Sequence, residues 1–430
     1  MNKRQSHHPL TVIIALLIAL LAVSACGGGP APAATAPPAG EPPAPPIESA
    51  GADPLPSAQP PTPPEANLTG CVERYSEGID YFPDKVTLDY AEGLTITYFD
   101  HYKVIDVPSA WPGGGQSFRY VLVQCGTPPP AGYDDAVIIE VPAGRVVSMS
   151  TTYITQMDDL GVLDRLAGLD SFAYVSNPAV RARIDAGELV EVAPNLTPNV
   201  EVALELDPDV IFAFSSGAPE YDVHPAFLNA GLPVVMNADW LERTPLARAE
   251  WIKFIAAFFN AEAQANAVFE NIEAQYQQAA ALAAGAEQRP TVFTSLPYQG
   301  TWYMPGGASF VARLIADAGG DYIYADDEST GSLFLDFETV YDAAKDADIW
   351  LDVAFVATLA DLQAADARYA DFNAFQQGNV YAYDARSSEY GLEYFETSSA
   401  RPHVVLLDLV HIFHPELLPD HELYYYRRLE

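Results

Sequence analysis

Arg145-Val146-Val147-Ser148-Met149-Ser150 reads as a short buried strand running into a polar turn, with a helix-like stretch and Gly161 after it. The same order returns at Arg289-Pro290-Thr291-Val292-Phe293-Thr294-Ser295, followed by a longer loop, a helix-like stretch and Gly319-Gly320. Val200-Glu201-Val202-Ala203-Leu204 leads into Asp207-Pro208-Asp209-Val210-Ile211-Phe212, a short helix entering a strand. Phe337-Glu338-Thr339-Val340-Tyr341 leads likewise into Asp346-Ala347-Asp348-Ile349-Trp350-Leu351. Gly231-Leu232-Pro233-Val234-Val235 is answered by Gly378-Asn379-Val380-Tyr381-Ala382. The second set follows the first at offsets of 137 to 158 residues, in unchanged order. Alternating strands and helices repeated in this way imply an α/β fold of two similar lobes with mainly parallel sheets.

Between the lobes, Leu246 to Ala284 is almost free of Gly and Pro and rich in Ala, Glu, Gln and Phe, a strongly helical composition. The apolar face of Trp251, Ile252, Ile255 and Phe258 gives way near Asn260 to an Ala/Gln-rich run. The second half is therefore expected to be one long helix, residues 261–288, crossing from a first lobe (71–260) to a second (289–430). A helical crossover resists bending, so lobe movement should be small.

The N-terminus is of another kind. Lys3 and Arg4 precede an apolar run from Leu10 to Val23, the pattern of a secretory signal over residues 1–25. Val23-Ser24-Ala25-Cys26 resembles the bacterial lipobox, which implies that Cys26 carries the lipid; an ordinary signal peptide with an incidental cysteine is the alternative. Gly27 to Gly70 then holds 14 prolines in 44 residues and no aromatic or basic residue. Such a segment cannot bury enough apolar surface to offset ordering, and a tether of polyproline II character over 26–70 is expected. Fully extended, it reaches on the order of 130 Å. With Cys26 lipidated, Cys71 and Cys125 are left in a disulfide-permissive compartment and are expected to pair, two free buried thiols being the alternative. Beyond Cys71, alternating runs such as Val86-Thr87-Leu88-Asp89-Tyr90 and Leu94-Thr95-Ile96-Thr97-Tyr98 suggest strands and hairpins up to about Cys125.

The chain of 430 residues carries 58 acidic and 21 basic side chains, a formal charge of −37. Nucleic acid is excluded as a partner, since no basic stripe is present to neutralise phosphates. No G-x-S-x-G, G-x-x-x-x-G-K-[ST] or H-E-x-x-H motif occurs, so no catalytic residue is assigned. A hydrolase built on a carboxylate pair and a purely structural surface protein stand as alternatives, but paired lobes imply a cleft. His403, His411 and His414 are read as part of a C-terminal helix ended by Pro415 and not as metal ligands, and no first-lobe histidine offers a matching partner.

Lipobox, tether, two α/β lobes and a helical crossover together resemble the substrate-binding lipoproteins of ABC importers, in particular their iron-siderophore, heme and cobalamin branch. Three segments carry the resemblance: Arg145-Val146-Val147-Ser148 with Asp159-Leu160-Gly161, then Leu206-Asp207-Pro208-Asp209-Val210-Ile211, then Ala318-Gly319-Gly320-Asp321-Tyr322. It covers roughly Val137 to the C-terminus. It implies a monomeric, lipid-anchored extracytoplasmic protein without a cofactor, which captures a metal chelate between its lobes and passes it to an ABC permease and its ATPase. A free metal ion is the alternative cargo.

In such proteins the ligand lies at the carboxyl ends of the strands, between the lobes. The resemblance then implies ligand contacts from Ser150, Thr151, Thr152, Tyr153, Phe172, Tyr174, Ser215, Ser216 and Trp240 in the first lobe. The second lobe would supply Tyr298, Trp302, Tyr303, Phe355, Arg386 and Tyr390. Gly300, Pro305, Gly306 and Gly307 around Trp302 suggest that it sits on an exposed turn. Apart from Arg386 few cations can be pointed to, which favours a neutral hydroxamate-type chelate or a cobalamin-like ligand. Permease docking falls on Glu220 in the first lobe and, less directly, on Asp317 in the second, where the usual position is occupied by Ala316.

Overall fold

A computed structural model describes residues 63–111, 113–218 and 221–430. The signal peptide, Cys26, most of the tether and Glu220 lie outside the described residues. Among the described residues no helix is long and apolar enough to cross a membrane.

The chain first builds a four-stranded sheet from β1 (Thr95–Tyr98), β2 (Tyr102–Val107), β3 (Phe118–Gln124) and β4 (Val137–Val141). They lie in the order β1-β2-β3-β4, with only the last pair parallel. Cys71 and Cys125 are joined by a disulfide, their Cα atoms 4.6 Å apart. Two details depart from expectation. Val137–Val141, where the family resemblance begins, completes this N-terminal sheet and precedes the α/β lobes. The run Val86–Tyr90 is not a strand, because the N–H groups of Asp89 and Tyr90 go to the Glu250 carboxylate and not to a neighbouring strand.

The first lobe is a parallel sheet of β5 (Val146–Ser148), β6 (Leu166–Leu169), β7 (Val190–Glu191), β8 (Val210–Ala213) and β9 (Val234–Met236), in the order β7-β6-β5-β8-β9. In the second lobe, β10 (Thr291–Thr294) is followed by the hairpin strand β11 (Trp302–Pro305). Then come β12 (Asp321–Tyr322), the other hairpin strand β13 (Ser332–Leu335) and β14 (Ile349–Leu351). Its sheet order is β12-β10-β14, all parallel, and Val380 extends it by a parallel bridge to Trp350. Each lobe thus sets its first strand, β5 or β10, between β6 or β12 on one side and β8 or β14 on the other, with β9 or the Val380 bridge beyond, and the duplication is one of topology.

The repeated Asp-x-Asp stretches have a shared physical cause. Asp209 Oδ2 accepts the N–H groups of Gly144 and Arg145 at 2.6 and 2.8 Å, while Asp209 N–H donates to the Arg145 carbonyl. Asp348 Oδ2 accepts the Thr291 N–H and Oγ1 hydroxyl, both at 2.8 Å, and its own N–H donates to the Thr291 carbonyl. The aspartate before β8 thus fixes the entry of β5, and the aspartate before β14 the entry of β10. Gly161 and Gly319 also match, at φ of 70° and 80° after the lobes' first helices, Thr152–Asp159 and Phe310–Asp317. A residue with a Cβ is disfavoured in that left-handed turn.

The crossover consists of the short helices Pro245–Glu250 and Ile252–Ala257, a break at Asn260 with φ of 56°, and the helix Glu262–Ala283. Its 22 residues span about 33 Å at 1.5 Å per residue. Trp251, Ile252, Ile255 and Phe258 are buried as their spacing predicts. The histidine-bearing C-terminal helix, Pro402–Phe413, packs against the long helix. His414 Nε2 faces the Gly319 carbonyl and His421 Nε2 pairs with Asp408, so these rings serve the fold.

Candidate functional site

The carboxyl ends of the first-lobe strands do not all present the expected side chains. Thr151 and Thr152 are half-buried at the start of the first helix, with Ser150 Oγ 2.8 Å from Thr152 Oγ1. Tyr153 is only 2 % exposed and packs edge-on against Phe212, which makes it core. Ser215 and Ser216 are occupied locally: both hydroxyls and the Ser216 N–H donate to the Asp222 carboxylate at 2.6 to 2.9 Å, tying the loop after β8. Trp240 is half-buried, and its Nε1 is enclosed without a partner among the described residues. Tyr174 stands 44 % exposed beside Gly391 of the second lobe.

In the second lobe the expected exposed position of Trp302 is corrected. The tight turn is Gln299–Gly300, both at positive φ, and it is bracketed by a bridge between Tyr298 and Thr301. Trp302 itself is fully buried, donates from Nε1 to the Thr294 carbonyl at 3.0 Å, and packs among Phe293, Trp350 and Phe372. On the other face of this hairpin Tyr303 meets Phe334 edge-on. Phe355 is exposed at φ of 62°. Ser295 and Asp352, directly after β10 and β14, hold φ of 68° and 59°. Left-handed non-glycine backbone at strand ends is strain of the kind concentrated at binding sites. Asp317 is already engaged, accepting from Tyr276 Oη at 2.8 Å and Arg313 Nε at 2.9 Å.

The lobes meet along a seam that joins the expected Phe172, Tyr390 and Arg386 to residues without a signal in the sequence, Arg181, Arg248, Glu396 and Ser399. The Arg181 guanidinium of the first lobe lies 3.6 Å from the ring centre of Tyr390 in the second, and its Nη1 donates to the Phe172 carbonyl in the loop after β6. Arg248 likewise lies 4.4 Å over Phe310 of the second lobe and pairs with Asp239 at 3.4 Å. Both arginines keep an enclosed Nε without a partner among the described residues. A small cavity of about 20 Å³ opens between Arg248, Phe310, Tyr394 and Ser399, and Ser399 Oγ is also unpartnered. Arg386 stacks 3.9 Å over Tyr424. Glu396 reaches across from the second lobe to the Ser176 N–H at 2.5 Å. No local spacing marks Arg181, Arg248, Glu396 or Ser399, because packing of distant segments puts them at the seam; only the scarcity of cations in so acidic a chain sets the two arginines apart.

Electrostatics at the seam follow burial. Desolvation raises the Glu396 carboxyl to about 7 and the Asp170 and Asp352 carboxyls to about 6. It also pushes the Asp239 carboxyl up, with Arg248 pulling it down. Enclosed donors facing aromatic rings suit a ligand with a flat or apolar body and oxygen acceptors. Among the described residues no group of three His, Cys, Asp or Glu side chains is placed to hold a bare metal ion.

Two α/β lobes of like topology, joined by a helix and meeting at a polar-aromatic seam, define a two-lobed binding protein. Residues 146–387, more than half of the chain, match the family model described as periplasmic binding protein, and the chain belongs to that family. Its members are ABC-transporter substrate-binding proteins and not enzymes, and they work with a permease and an ATPase. The chain is 28% identical over 366 residues to the uncharacterized lipoprotein MJ0878 of Methanocaldococcus jannaschii, covering 79% of this chain and 84% of the relative. A second uncharacterized lipoprotein of that organism, MJ0872, is 28% identical over 324 residues, covering 73% and 80%. In fold, it is similar to a periplasmic heme binding protein from Pseudomonas aeruginosa, with TM-score 0.52 and 17% identity over 67% of this chain and 98% of that one. It is also similar to Ceue of Helicobacter pylori with Ni(II) bound, with TM-score 0.51 and 15% identity over 66% and 88%.

Proposed function

We propose that this protein is an extracytoplasmic lipoprotein, anchored through Cys26, that captures a metal chelate between its lobes for an ABC importer, with a ferric siderophore as the best-supported cargo and heme or cobalamin as the next. The observation that carries this reading is the pair of seam arginines, Arg181 and Arg248, each stacked on an aromatic ring of the opposite lobe with an enclosed Nε free. A chelate offers both an apolar body for the rings and oxygens for those donors. Together with Arg386 these cations also make room for an anionic ligand group, which weakens the preference for a neutral chelate drawn from composition. Glu220 serves as the first-lobe contact to the permease; Asp317, held by Arg313 and Tyr276, contributes less.

The test is a melting-temperature and absorbance screen of the purified protein with ferric hydroxamates, ferric catecholates, heme, cobalamin, nickel and molybdate. A rise in Tm with one of the chelates supports the reading. If none acts, and a peptide, a glycan or a bare ion does, the reading fails. Glu220→Ala should lose transport while keeping binding; unchanged transport removes the docking role.

A further inference from the structure

The segment before β1 lies against the crossover on both sides of its break. Ahead of the break, Glu250 accepts the N–H groups of Asp89, Tyr90 and Ala91 at 3.0, 2.8 and 2.7 Å, and Lys253 Nζ donates to the Thr87 carbonyl. Glu242 accepts the Gly93 N–H and the Trp251 Nε1–H, both at 2.9 Å. At the break, Asn260 Nδ2 donates to the Leu68 carbonyl and to Gln124 Oε1. Beyond it, Glu262 accepts from Asn67 Nδ2 and is ion-paired at 2.5 Å with Lys103 of β2, both side chains wholly buried. Further still, Asn266 Nδ2 donates to the Lys85 carbonyl, and Tyr90 Oη donates to Glu273.

Glu242, Glu250 and Glu262 are 8 %, 0 % and 0 % exposed. Buried carboxylates are costly unless they are paired, and the partners of these three come largely from residues 67–103. A hinge at Asn260 cannot bend without stretching contacts that grip both of its arms. We propose that residues 63–94, held by the β1–β4 sheet and the Cys71–Cys125 disulfide, form a strap across the crossover that limits how far the lobes part. The 79% of this chain matched by MJ0878 exceeds what residues 146–430 can supply, so that relative shares part of the chain ahead of the lobes. The strap acts whichever ligand is bound.

The Ser176 amide reports lobe parting directly, since its partner is Glu396 of the other lobe. Hydrogen exchange of the full chain is compared with Tyr90→Phe/Asn266→Ala, which releases the Tyr90 Oη bonds to Glu273 and Gln277 and the Asn266 bond to the Lys85 carbonyl, and leaves the buried acids in place. The expected result is about tenfold faster exchange at Ser176 and along Glu262–Ala283, with Val147 and Phe293 in the two lobe sheets unchanged. Glu250→Gln, which keeps size and removes charge, should give the same signature from the other arm. Faster exchange in the long helix with Ser176 unchanged overturns the proposal, because the segment then steadies the helix alone. A uniform increase at all sites, or no change anywhere, overturns it too.

Discussion

Glu396 of the second lobe accepts the Ser176 N–H of the first at 2.5 Å, and its own carbonyl accepts the Thr155 hydroxyl at 3.0 Å. The contact places a nearly wholly buried carboxylate where the two lobes touch, with Glu393 and Asp158 adding repulsion.

Its titration should be visible in stability. Burial raises the Glu396 carboxyl from 4.5 to about 7. Between those values the folded chain holds a proton that the unfolded chain has released, so this group's contribution falls as pH rises through the window and is flat above it. Glu396→Gln removes that dependence. The variant should gain on the wild type from pH 5 to pH 7.5, by on the order of 2 kcal/mol at most. His403, held to about 4 by burial, acts in the opposite sense below 6.5, so the difference between the two proteins is the quantity to measure. Parallel urea-denaturation curves for both proteins across that range would dismiss the effect.

Arg181→Ala should reduce affinity for whichever chelate binds by about tenfold or more, while stability falls by about 1–4 kcal/mol, for the lost cation–π contact and the hydrogen bond to the Phe172 carbonyl. Arg181→Lys keeps the charge and loses the planar stacking and the fork of donors, so it should recover part of the affinity at best. Titration by intrinsic fluorescence reads both variants. Full affinity in the alanine variant would place the ligand elsewhere.

The lobes were legible because their information is local. The Val/Ile runs, the Asp-x-Asp entries at Asp209 and Asp348 and the glycines at 161 and 319 each act within a few residues of themselves, and the break at Asn260 follows from a change of helical face. The site was less legible because its information is not local. Ser215 and Ser216 look free until Asp222 folds back on them. Arg181 gains meaning only when Tyr390, more than 200 residues away, arrives beneath it. Trp302 was misplaced by its glycine and proline neighbours, although alternation along Trp302-Tyr303-Met304 already puts the tryptophan and methionine on one face and the tyrosine on the other.

Burial of Trp302 and partial exposure of Tyr303 on opposite faces of the hairpin separate their effects on stability. Trp302→Ala should destabilise the second lobe by ~3–5 kcal/mol, the range for deleting a large buried aromatic. Tyr303→Ala, on the outer face, should cost under about 1 kcal/mol. Chemical denaturation separates the two, and equal losses would return Trp302 to the surface.

Reduction of Cys71–Cys125 tests the N-terminal sheet from its other end. The bond closes a loop of sequence separation 54, for which chain entropy alone gives about 4 kcal/mol. Gln124, next to Cys125, bonds both the Gly70 carbonyl and Asn260, so loosening the disulfide should loosen the hold on the crossover break as well. Cys71→Ser/Cys125→Ser is therefore expected to lower Tm and to speed exchange at residues 67–70 before the lobe sheets respond. A lowered Tm with all segments responding together would mean that the disulfide only stabilises the fold as a whole and has no particular hold on the break.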